Sequence, residues 1–479
     1  MQLIDLLDSL KDMPIAGITS DSRQVRDNYL FAALPGAKVD GSKFIEDAVH
    51  HGAKIILAKE GVELSENAED VVLINDPNPR QAFAKLVAKF YKLQPENIVA
   101  VTGTSGKTST VSFVQQLWHL SGTEKCASLG TLGLRAPGMR RYGSLTTPDT
   151  QSLHAEIADL SAVGINHLAM EASSHGLDQY RLDGVKVRSA AYTNLSRDHL
   201  DYHADMDSYF QAKARLFSEV MQENGTAVIN ADDEYADRLI EICKKAGHKI
   251  VSYGANGKNI QLLKRELKPD GQDISFSVDG KTYEVTLPLV GEFQVMNSLC
   301  ALGLVLSLDN NPDKYAPLLA GLRGVPGRLQ FVSGHLKGAI YVDYAHKPAA
   351  LETILKTLRP HTEGKLVCVF GCGGNRDVGK RPIMGKIAGE LADVVIVTDD
   401  NPRYEDASEI RKQIMEAVPS ATEIADRSEA IHTAVKNLNE GDVLVVAGKG
   451  HEQGQIIGET VHIFDDVEEV KKAIEKVRG

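Results

Sequence analysis

The sequence predicts an α/β protein of three domains, and three observations carry that expectation. At 479 residues the chain is longer than one ordinary hydrophobic core organises. Towards its carboxy terminus four apolar runs, "AIYVDY", "KLVCVFG", "DVVIVTD" and "DVLVVAG", alternate with polar loops and amphipathic helical stretches. Runs this continuous are expected of parallel strands covered on both faces. From residue 97 the apolar run "NIVAVTG" passes through a glycine-rich turn into the helical stretch "VSFVQQLWHL". The expected fold is therefore a central domain of the P-loop type with a small antiparallel addition, preceded by a smaller domain and followed by a Rossmann-like parallel sheet.

Taken in order, residues 1–96 hold "SDSRQV", "LFAALPGAKVDG" and "AKIILAK", short strands with turns, then the helix "PRQAFAKLVAKFYKL". The proline-containing "KLQPEN" closes this block. Residues 97–325 start with the glycine-loop strand and continue past "AVIN" to a polar, strand-rich insert near 258–290. There "DGQD" and "DGKT" are hairpin signals. Residues 326–479 form the third block, whose strands should end in the loops "AHKP", "GCGGNRD", "DNPRYED" and "GKGHEQ". Ligands of parallel sheets collect outside the carboxyl ends of the strands, and all four loops are rich in glycine or charge.

Composition narrows the function. Hydrophobic residues at 43% and charged residues at 25% exclude a disordered or fibrous class. A formal charge of −12 argues against a nucleic-acid partner, since no basic concentration could neutralise a run of phosphates. The amino terminus "MQLIDLLDSLKDM" lacks a basic leader and a cleavage site, and no apolar run is long enough to span a bilayer. A cytoplasmic monomer without membrane contact is expected. Five scattered cysteines, Cys126, Cys243, Cys300, Cys368 and Cys372, fit reduced thiols. Only "CVFGC" brings two together, and buried strand and loop positions explain that pair better than a metal site.

The loop "VAVTGTSGKTST" carries the first chemistry. A glycine-rich turn between strand and helix aims backbone N–H groups at a phosphate, Lys107 adds a point charge, and the Thr108 hydroxyl suits magnesium. Its spacing departs from the usual pattern, because Val101 stands where the first glycine falls and the first loop glycine is Gly103. Nearby, "AMEASSHGLDQYRL" offers Glu171 and "TNLSRDHLDYH" offers Asp198, His199, Asp201 and His203. Such carboxylates and imidazoles could complete a magnesium shell around triphosphate oxygens. Each alone is more often structural. Lys213, in "SYFQAKARLF", reads by itself as a solvated helix lysine.

The motifs "TGTSGKTST", "TTPDT", "EASSHGLDQYR", "NLSRDHLDYH", "GEFQVMNSLCA", "GVPGRLQ", "DYAHKP", "GGNRDVGKR", "DNPR" and "GKGHE" occur in the order seen in the Mur ligases, and the chain resembles that family through all three blocks. Folylpolyglutamate synthase shares the ATP-domain plan but is not expected to carry "DNPR" with "GKGHE". The resemblance implies a cytoplasmic, ADP-forming amide ligase of peptidoglycan precursor synthesis. ATP with Mg2+ phosphorylates the terminal carboxylate of UDP-MurNAc-L-Ala-D-Glu, and an amino acid's amine attacks the acyl phosphate.

By the same resemblance Gly103, Thr104, Ser105, Gly106, Lys107, Thr108 and Ser109 hold the phosphates. Thr108, Glu171, His199 and Lys213 hold metal, with Lys213 carbamylated, and Lys107, Glu171, His199 and Lys213 form the catalytic set. Asn297 matches an adenine-side residue, and Arg328 and Asp343 match nucleotide contacts, with His346 and Lys347 in the same motif. Ser22, with Ala37 to Val39 nearby, resembles the uridine side. Thr146, Thr147, Ser173, Gln179 and Arg181 match positions that hold the muramoyl-dipeptide.

The stretch "TDDNPRY" offers both charge signs from one short loop, and a diaminopimelate side chain ends in both an ammonium and a carboxylate. Arg403 can pair with that carboxylate in bidentate fashion. Asp400, Asn401 and Glu452 can receive the ammonium, Gly448 can offer its carbonyl, Pro402 helps fix the loop, and Arg376 can take a second carboxylate. Relatives that add L-lysine usually differ at the arginine of "DNPR", so meso-diaminopimelate is the expected amino acid. The alternatives are an L-lysine-adding ligase of the same family and, from another class, a nucleotide-binding regulatory ATPase.

Overall fold

A computed structural model describes residues 15–36, 40–65, 68, 70–143, 145–268, 271–333 and 338–478. The chain forms two compact units, residues 1–261 with 299–315, and residues 262–298 with 316–479.

The first unit starts with a four-stranded parallel sheet of β1 (Gly17–Thr19), β2 (Tyr29–Ala32), β3 (Ala53–Lys59) and β4 (Val72–Asp76), with α1 (Ile45–His50) between β2 and β3. The sequence pointed to short strands and turns here; the structure adds that they are all parallel. Helix α2 (Pro79–Tyr91) follows, where expected. Pro79 sits in its first turn, and the Asn78 side chain accepts the Gln81 N–H, so the helix starts where its φ is pre-set and one end donor is satisfied. Phe83, Leu86 and Val87 of α2 bury one face of the sheet against Leu30, Ile55 and Leu57, while α1 covers the other with Ile45 and Ala48.

The same unit continues through β5 (Asn97–Thr102), α3 (Lys107–Leu120), β6 (Cys126–Gly130), β7 (Gly133–Ala136), β8 (Met139–Arg141), α4 (Thr150–Ala162), β9 (His167–Glu171), α5 (Ser174–Asp178), β10 (Val187–Tyr192), α6 (Met206–Arg215), β11 (Met221–Asn230), α7 (Ala236–Lys245) and β12 (Lys249–Gly254). The strand order is β12-β11-β10-β5-β9-β6-β7-β8. All pairs from β12 to β6 are parallel, and β7 and β8 add an antiparallel end. This places β5 near the middle, so the loop after it opens at the carboxyl edge of a rigid sheet. Gln81 Nε2 donates to Asp183 Oδ1 at 2.9 Å and Gln94 Nε2 to the Gly184 carbonyl at 2.9 Å, tying the small sheet's helix and the chain after it to this larger layer.

β13 (Ile260–Lys268) pairs with β12 in parallel through its first two residues. The expected antiparallel addition is the hairpin of β14 (Gly271–Val278) and β15 (Lys281–Leu287) in the second unit. Its two-residue turn, Asp279 at φ 45° and Gly280 at φ 88°, has the left-handed backbone that a tight hairpin of this twist requires. Asp270 of the "DGQD" signal lies outside the described residues. The chain then runs through α8 (Glu292–Leu308) and α9 (Pro312–Tyr315).

The second unit is built on β16 (Gln330–Ser333), β17 (Ala339–Asp343), α10 (Pro348–Leu358), β18 (Leu366–Phe370), α11 (Lys380–Leu391), β19 (Val394–Val397), α12 (Ala407–Met415), β20 (Thr422–Glu423), α13 (Arg427–Lys436), β21 (Val443–Ala447), the hairpin β22 (Gly454–Ile457) and β23 (Thr460–Ile463), and α14 (Asp466–Arg478). The order is β16-β17-β21-β18-β19-β20, parallel from β17 to β20 with β16 antiparallel at the edge. The four strands expected from apolar runs are its centre. Helices α10, α11 and α12 cover one face through Leu351, Leu355, Met384 and Ile414, and α13 and α14 the other through Ile431, Val435 and Val470. Arg427 and Asp466, both fully buried, pair at 2.7 Å between α13 and α14. Removing one partner would leave an uncompensated buried charge. Among the described residues no helix is long and apolar enough to cross a membrane.

Candidate active site

The loop from Gly103 to Gly106 leaves β5 and enters α3 with Gly103 at φ 147° and Gly106 at φ 88°. A Cβ at Gly103 would lie 1.9 Å from Thr193 Oγ1, so only glycine fits there. The segment after β10 braces the loop. Thr104 N donates to the Asn194 carbonyl at 2.8 Å, Ser105 N to Asn194 Oδ1 at 3.0 Å, and Thr193 Oγ1 to the Ser105 carbonyl at 2.6 Å. No side chain caps the first turn of α3, which leaves its N–H groups directed at the space beyond the loop. Thr108 and Ser109 are buried beneath that turn.

Two lysine amino groups converge on one carbonyl. Lys107 Nζ donates to the Gly103 carbonyl at 2.7 Å and to that of Thr104 at 2.9 Å, while Lys213 Nζ reaches Gly103 from α6 at 2.8 Å. Lys213 is 2% exposed, with Nζ 4.4 Å from the centre of the Tyr209 ring. Burial, reinforced by the charge of Lys107, holds its amine well below the usual lysine range, while Asp198 acts in the opposite direction. The expectation of a solvated helix lysine fails at this position. Helix α6 is held at depth by Arg215, which lies over the Tyr180 ring at 4.0 Å, pairs with Asp183 at 3.1 Å, and donates to the Leu177 carbonyl. Directly after it the backbone widens into a π-helical turn over Leu216–Val220.

Glu171 ends β9 beside the strand that feeds the loop, in register with Val101. Its Oε1 accepts from Thr131 N at 2.8 Å and its Oε2 from Thr131 Oγ1 at 3.2 Å; Thr131 Oγ1 also lies 3.1 Å from Thr146 Oγ1. The dipeptide-side positions form one network with it. Thr147 Oγ1 donates to the Glu171 carbonyl at 3.0 Å and accepts from Ser173 N and Oγ, both at 3.0 Å. Arg181 Nη1 donates to the Thr147 carbonyl at 2.7 Å, its Nη2 to Gln179 Oε1 at 2.6 Å, and Gln179 Nε2 to Tyr202 Oη at 3.2 Å.

His199, at φ 53°, has its side chain 42% exposed and its Nε2 3.6 Å from Asp198 Oδ2. Its ring lies 5.0 Å from that of His175 and 6.1 Å from that of Tyr209. His203 is buried with Nε2 lacking a hydrogen-bond partner. Burial lowers the pKa of both His175 and His203, so neutral imidazoles line this side. Among the described residues no three His, Cys, Asp or Glu side chains converge on a cation-sized point. The donors are instead a hydroxyl, a carboxylate and an imidazole around the phosphate loop. That oxygen-containing set fits a magnesium ion whose remaining ligands are nucleotide oxygens and water.

Ser22 stands apart from this network, in a short turn after β1 whose Asp21 carboxylate is held by Arg23. Ala37, Lys38 and Val39 lie outside the described residues.

In the second unit Asn297, Arg328 and Asp343 form one group. Asn297 Nδ2 donates to Gln294 Oε1 at 3.2 Å, Gln294 Nε2 to the Arg328 carbonyl at 3.3 Å, and the Arg328 guanidinium lies 4.9 Å from the Tyr344 ring centre. Asp343 accepts from Leu329 N at 2.5 Å and from Ala345 N at 2.7 Å; burial pushes its carboxyl up to about 6. His346, in the following loop, is held down to about 4 by burial.

The loops after β18, β19 and β21 meet as expected. Gly374 N donates to the Asn401 carbonyl at 2.9 Å, and Arg403 Nη1 to the Gly374 carbonyl at 2.9 Å. A Cβ at Gly374 would lie 2.0 Å from the Pro402 carbonyl oxygen and one at Gly371 2.2 Å from that of Thr398, which explains two glycines of "GCGG". Arg403 has φ 54°, and Pro402 precedes it in a buried position. Arg376 is exposed on the loop after β18. Gly448 N donates to the Asp343 carbonyl at 3.0 Å, and Asn401 Nδ2 to Glu452 Oε2 at 3.0 Å. Sequence reasoning passed over Lys449, which is fully buried among Asp400, Asn401 and Glu452, as well as Tyr209 and Arg215. A lysine between two glycines looks like a solvated loop; its position two residues after a buried strand and three before Glu452 was the only signal.

A glycine phosphate loop with a second, buried lysine behind it, on a parallel sheet joined to another α/β layer with charged loops, defines an ATP-using ligase class. Comparison with known proteins gives the family. The Mur ligase middle domain matches residues 101–305, the Mur ligase glutamate ligase domain 327–450, and the Mur ligase family catalytic domain 14–91. A Rhizobium meliloti protein is 50% identical, covering 96% of this chain and 94% of its own. One from Agrobacterium fabrum is 47% identical, covering 99% and 96%. Both are named UDP-N-acetylmuramoyl-L-alanyl-D-glutamate–2,6-diaminopimelate ligase. A solved structure of a ligase with that name superposes with a TM-score of 0.73 at 34% identity, covering 97% of this chain and 96% of its own. The chain belongs to the Mur ligase family.

Proposed function

We propose that this enzyme joins meso-diaminopimelate to UDP-MurNAc-L-Ala-D-Glu at the expense of ATP, through an acyl phosphate, as a step of peptidoglycan precursor synthesis. Near-half identity over almost the full length to ligases of that name supports the reaction. The observation that carries the mechanism is the pair of lysine amino groups on the Gly103 carbonyl, one of them buried and depressed. A carboxylate is a poor electrophile at neutral pH, and its acyl phosphate, a mixed anhydride, supplies the missing leaving group. Lys107 and the first-turn N–H groups of α3 would steady charge as it develops on phosphoryl oxygens. Thr108, Glu171 and His199 would hold magnesium, which when bound neutralises triphosphate charge.

Lys213 suits carbamylation. A neutral amine adds to CO2, and burial beside Lys107 favours the neutral amine. The resulting carbamate would be an anionic oxygen ligand balanced by Lys107. Thr146, Thr147, Ser173, Gln179 and Arg181 would hold the dipeptide and Ser22 the uridine. Asn297, Arg328 and Asp343 would take the nucleotide, with Arg376, Asp400, Asn401, Pro402, Arg403, Gly448 and Glu452 taking the amino acid. We read the domains as 1–96, 97–325 and 326–479, and the working form as a cytoplasmic monomer; five buried free cysteines fit a reducing compartment.

The test is isotopic. With 18O in the D-Glu side-chain carboxylate of the acceptor, one 18O should appear in each phosphate released, and release should require the acceptor. Unlabelled phosphate, or equal release without acceptor, would contradict the acyl-phosphate route and favour a regulatory ATPase.

A further inference from the structure

We infer that Lys449 is a specificity-determining residue of the amino-acid site: a fixed internal cation that offsets one of the two carboxylates Asp400 and Glu452, leaving one negative charge for an incoming ammonium. This rests on the proposed function and names a residue that the reading above does not use.

Lys449 follows β21 and is fully buried. Its Nζ lies 2.7 Å from Asn401 Oδ1, 2.8 Å from the Gly454 carbonyl, 3.3 Å from Asp400 Oδ1 and 3.8 Å from Glu452 Oε2. Two of its N–H groups therefore hydrogen-bond inside the protein, and Asp400 Oδ1, at ion-pair distance, is buried without a hydrogen-bond partner of its own. The same ammonium fixes the Asn401 amide. Asn401 Oδ1 accepts from Lys449 and from Ile456 N at 3.0 Å, and its Nδ2 donates to Glu452. That amide is occupied on both ends by the fold, so Asn401 serves the amino-acid site by holding Lys449, Glu452 and Ile456 in place rather than by accepting the ammonium itself. The loop after β19 is held further by the β22–β23 hairpin, through Gln455 Nε2 to the Asp400 carbonyl at 2.7 Å and Arg403 N to the Ile456 carbonyl at 3.0 Å.

The charge count decides the role. Arg427 lies close by, but Asp466 neutralises it. What remains is two carboxylates against Lys449, with Arg403 on the neighbouring turn as the second cation. A side chain ending in one ammonium and one carboxylate matches this arrangement. Loss of the Lys449 charge would leave two neighbouring negative charges, Asp400 buried and Glu452 partly exposed, without their internal cation. That would attract a side chain ending only in an ammonium and repel the carboxylate of the other kind.

The experiment compares wild type, Lys449→Gln, Asp400→Asn and the double variant, with kcat and KM for meso-diaminopimelate, for L-lysine and for ATP. Glutamine can still hydrogen-bond Asn401, so this substitution isolates the charge. In Lys449→Gln, kcat/KM for meso-diaminopimelate relative to L-lysine should fall at least tenfold while KM for ATP stays within twofold. The double variant, whose charge count is restored, should recover much of that ratio, which a merely structural lysine would not do. If Lys449→Gln does not fold, Asp400→Asn alone still decides: it should depress L-lysine use more than meso-diaminopimelate use. An unchanged ratio in Lys449→Gln, no recovery in the double variant, or equal losses in Asp400→Asn would overturn the assignment. Wild type forming no tripeptide with either amino acid would instead sink the proposed function.

Discussion

Lys213 shows how one side chain can be read two ways. As text it is a lysine in a polar helix; in the fold it is a buried amine sharing the Gly103 carbonyl with Lys107. Only the family resemblance singled it out, because burial depth depends on Arg215 anchoring α6 to Asp183 and Leu177, contacts that no local spacing encodes. Lys449 was missed for the same reason. That Arg403, Asp400 and Glu452 fall on loops at the carboxyl ends of strands of one sheet was legible, since each follows a strand-length apolar run. If Lys213 works as a carbamate, enzyme depleted of CO2 should lose most of its activity and regain it on adding bicarbonate. Lys213→Ala should be inactive and unresponsive to bicarbonate, though short carboxylic acids could partly restore it. Activity indifferent to CO2 would rule the carbamate out.

Elements were legible where the hydrophobic period was strong. The four strands of the second unit, the strand and helix around the phosphate loop and α2 follow from apolar runs and caps. The parallel pairing of β1 to β4 did not, because strands this short carry no directional signal. Nor did the β22–β23 hairpin, whose apolar Ile457, Val461 and Ile463 are all exposed, so that its pattern marks no buried face. At the phosphate loop, Gly103→Ala would drive a Cβ into Thr193. ATP binding measured by calorimetry should weaken at least tenfold, with the far-ultraviolet circular dichroism unchanged; wild-type affinity would contradict the tight β5–β10 bracing.

Helix α4 gives a pH signature. His154 Nε2 lies 3.2 Å from the Asp183 carbonyl, and burial holds the imidazole down to about 4. The folded protein keeps it neutral where the unfolded chain is protonated, so unfolding takes up a proton between pH 6.5 and 4 and stability falls on acidification. The loss from this residue is about 3 kcal/mol across that window. Urea titrations of wild type and His154→Asn at pH 7 and 4.5 should show a smaller acid loss in the variant; equal losses would remove His154 from the account.

For the whole molecule, length and the order of motifs made the three-domain Mur ligase plan legible. The contact division into two units was not, because the chain passes between them at residues 261–262, 298–299 and 315–316, inside a strand, inside a helix and between two short helices. A net charge of −12 argued against a nucleic-acid partner and directed attention to small-molecule substrates. The most direct measurement of the central claim is product mass after incubation with ATP, magnesium and UDP-MurNAc-L-Ala-D-Glu, with meso-diaminopimelate or L-lysine supplied in parallel. The account predicts a tripeptide product, with matching phosphate release, from meso-diaminopimelate and little from L-lysine. Product mainly from L-lysine would contradict the reading of Arg403 and the charged loops, and product from neither would contradict the ligase itself.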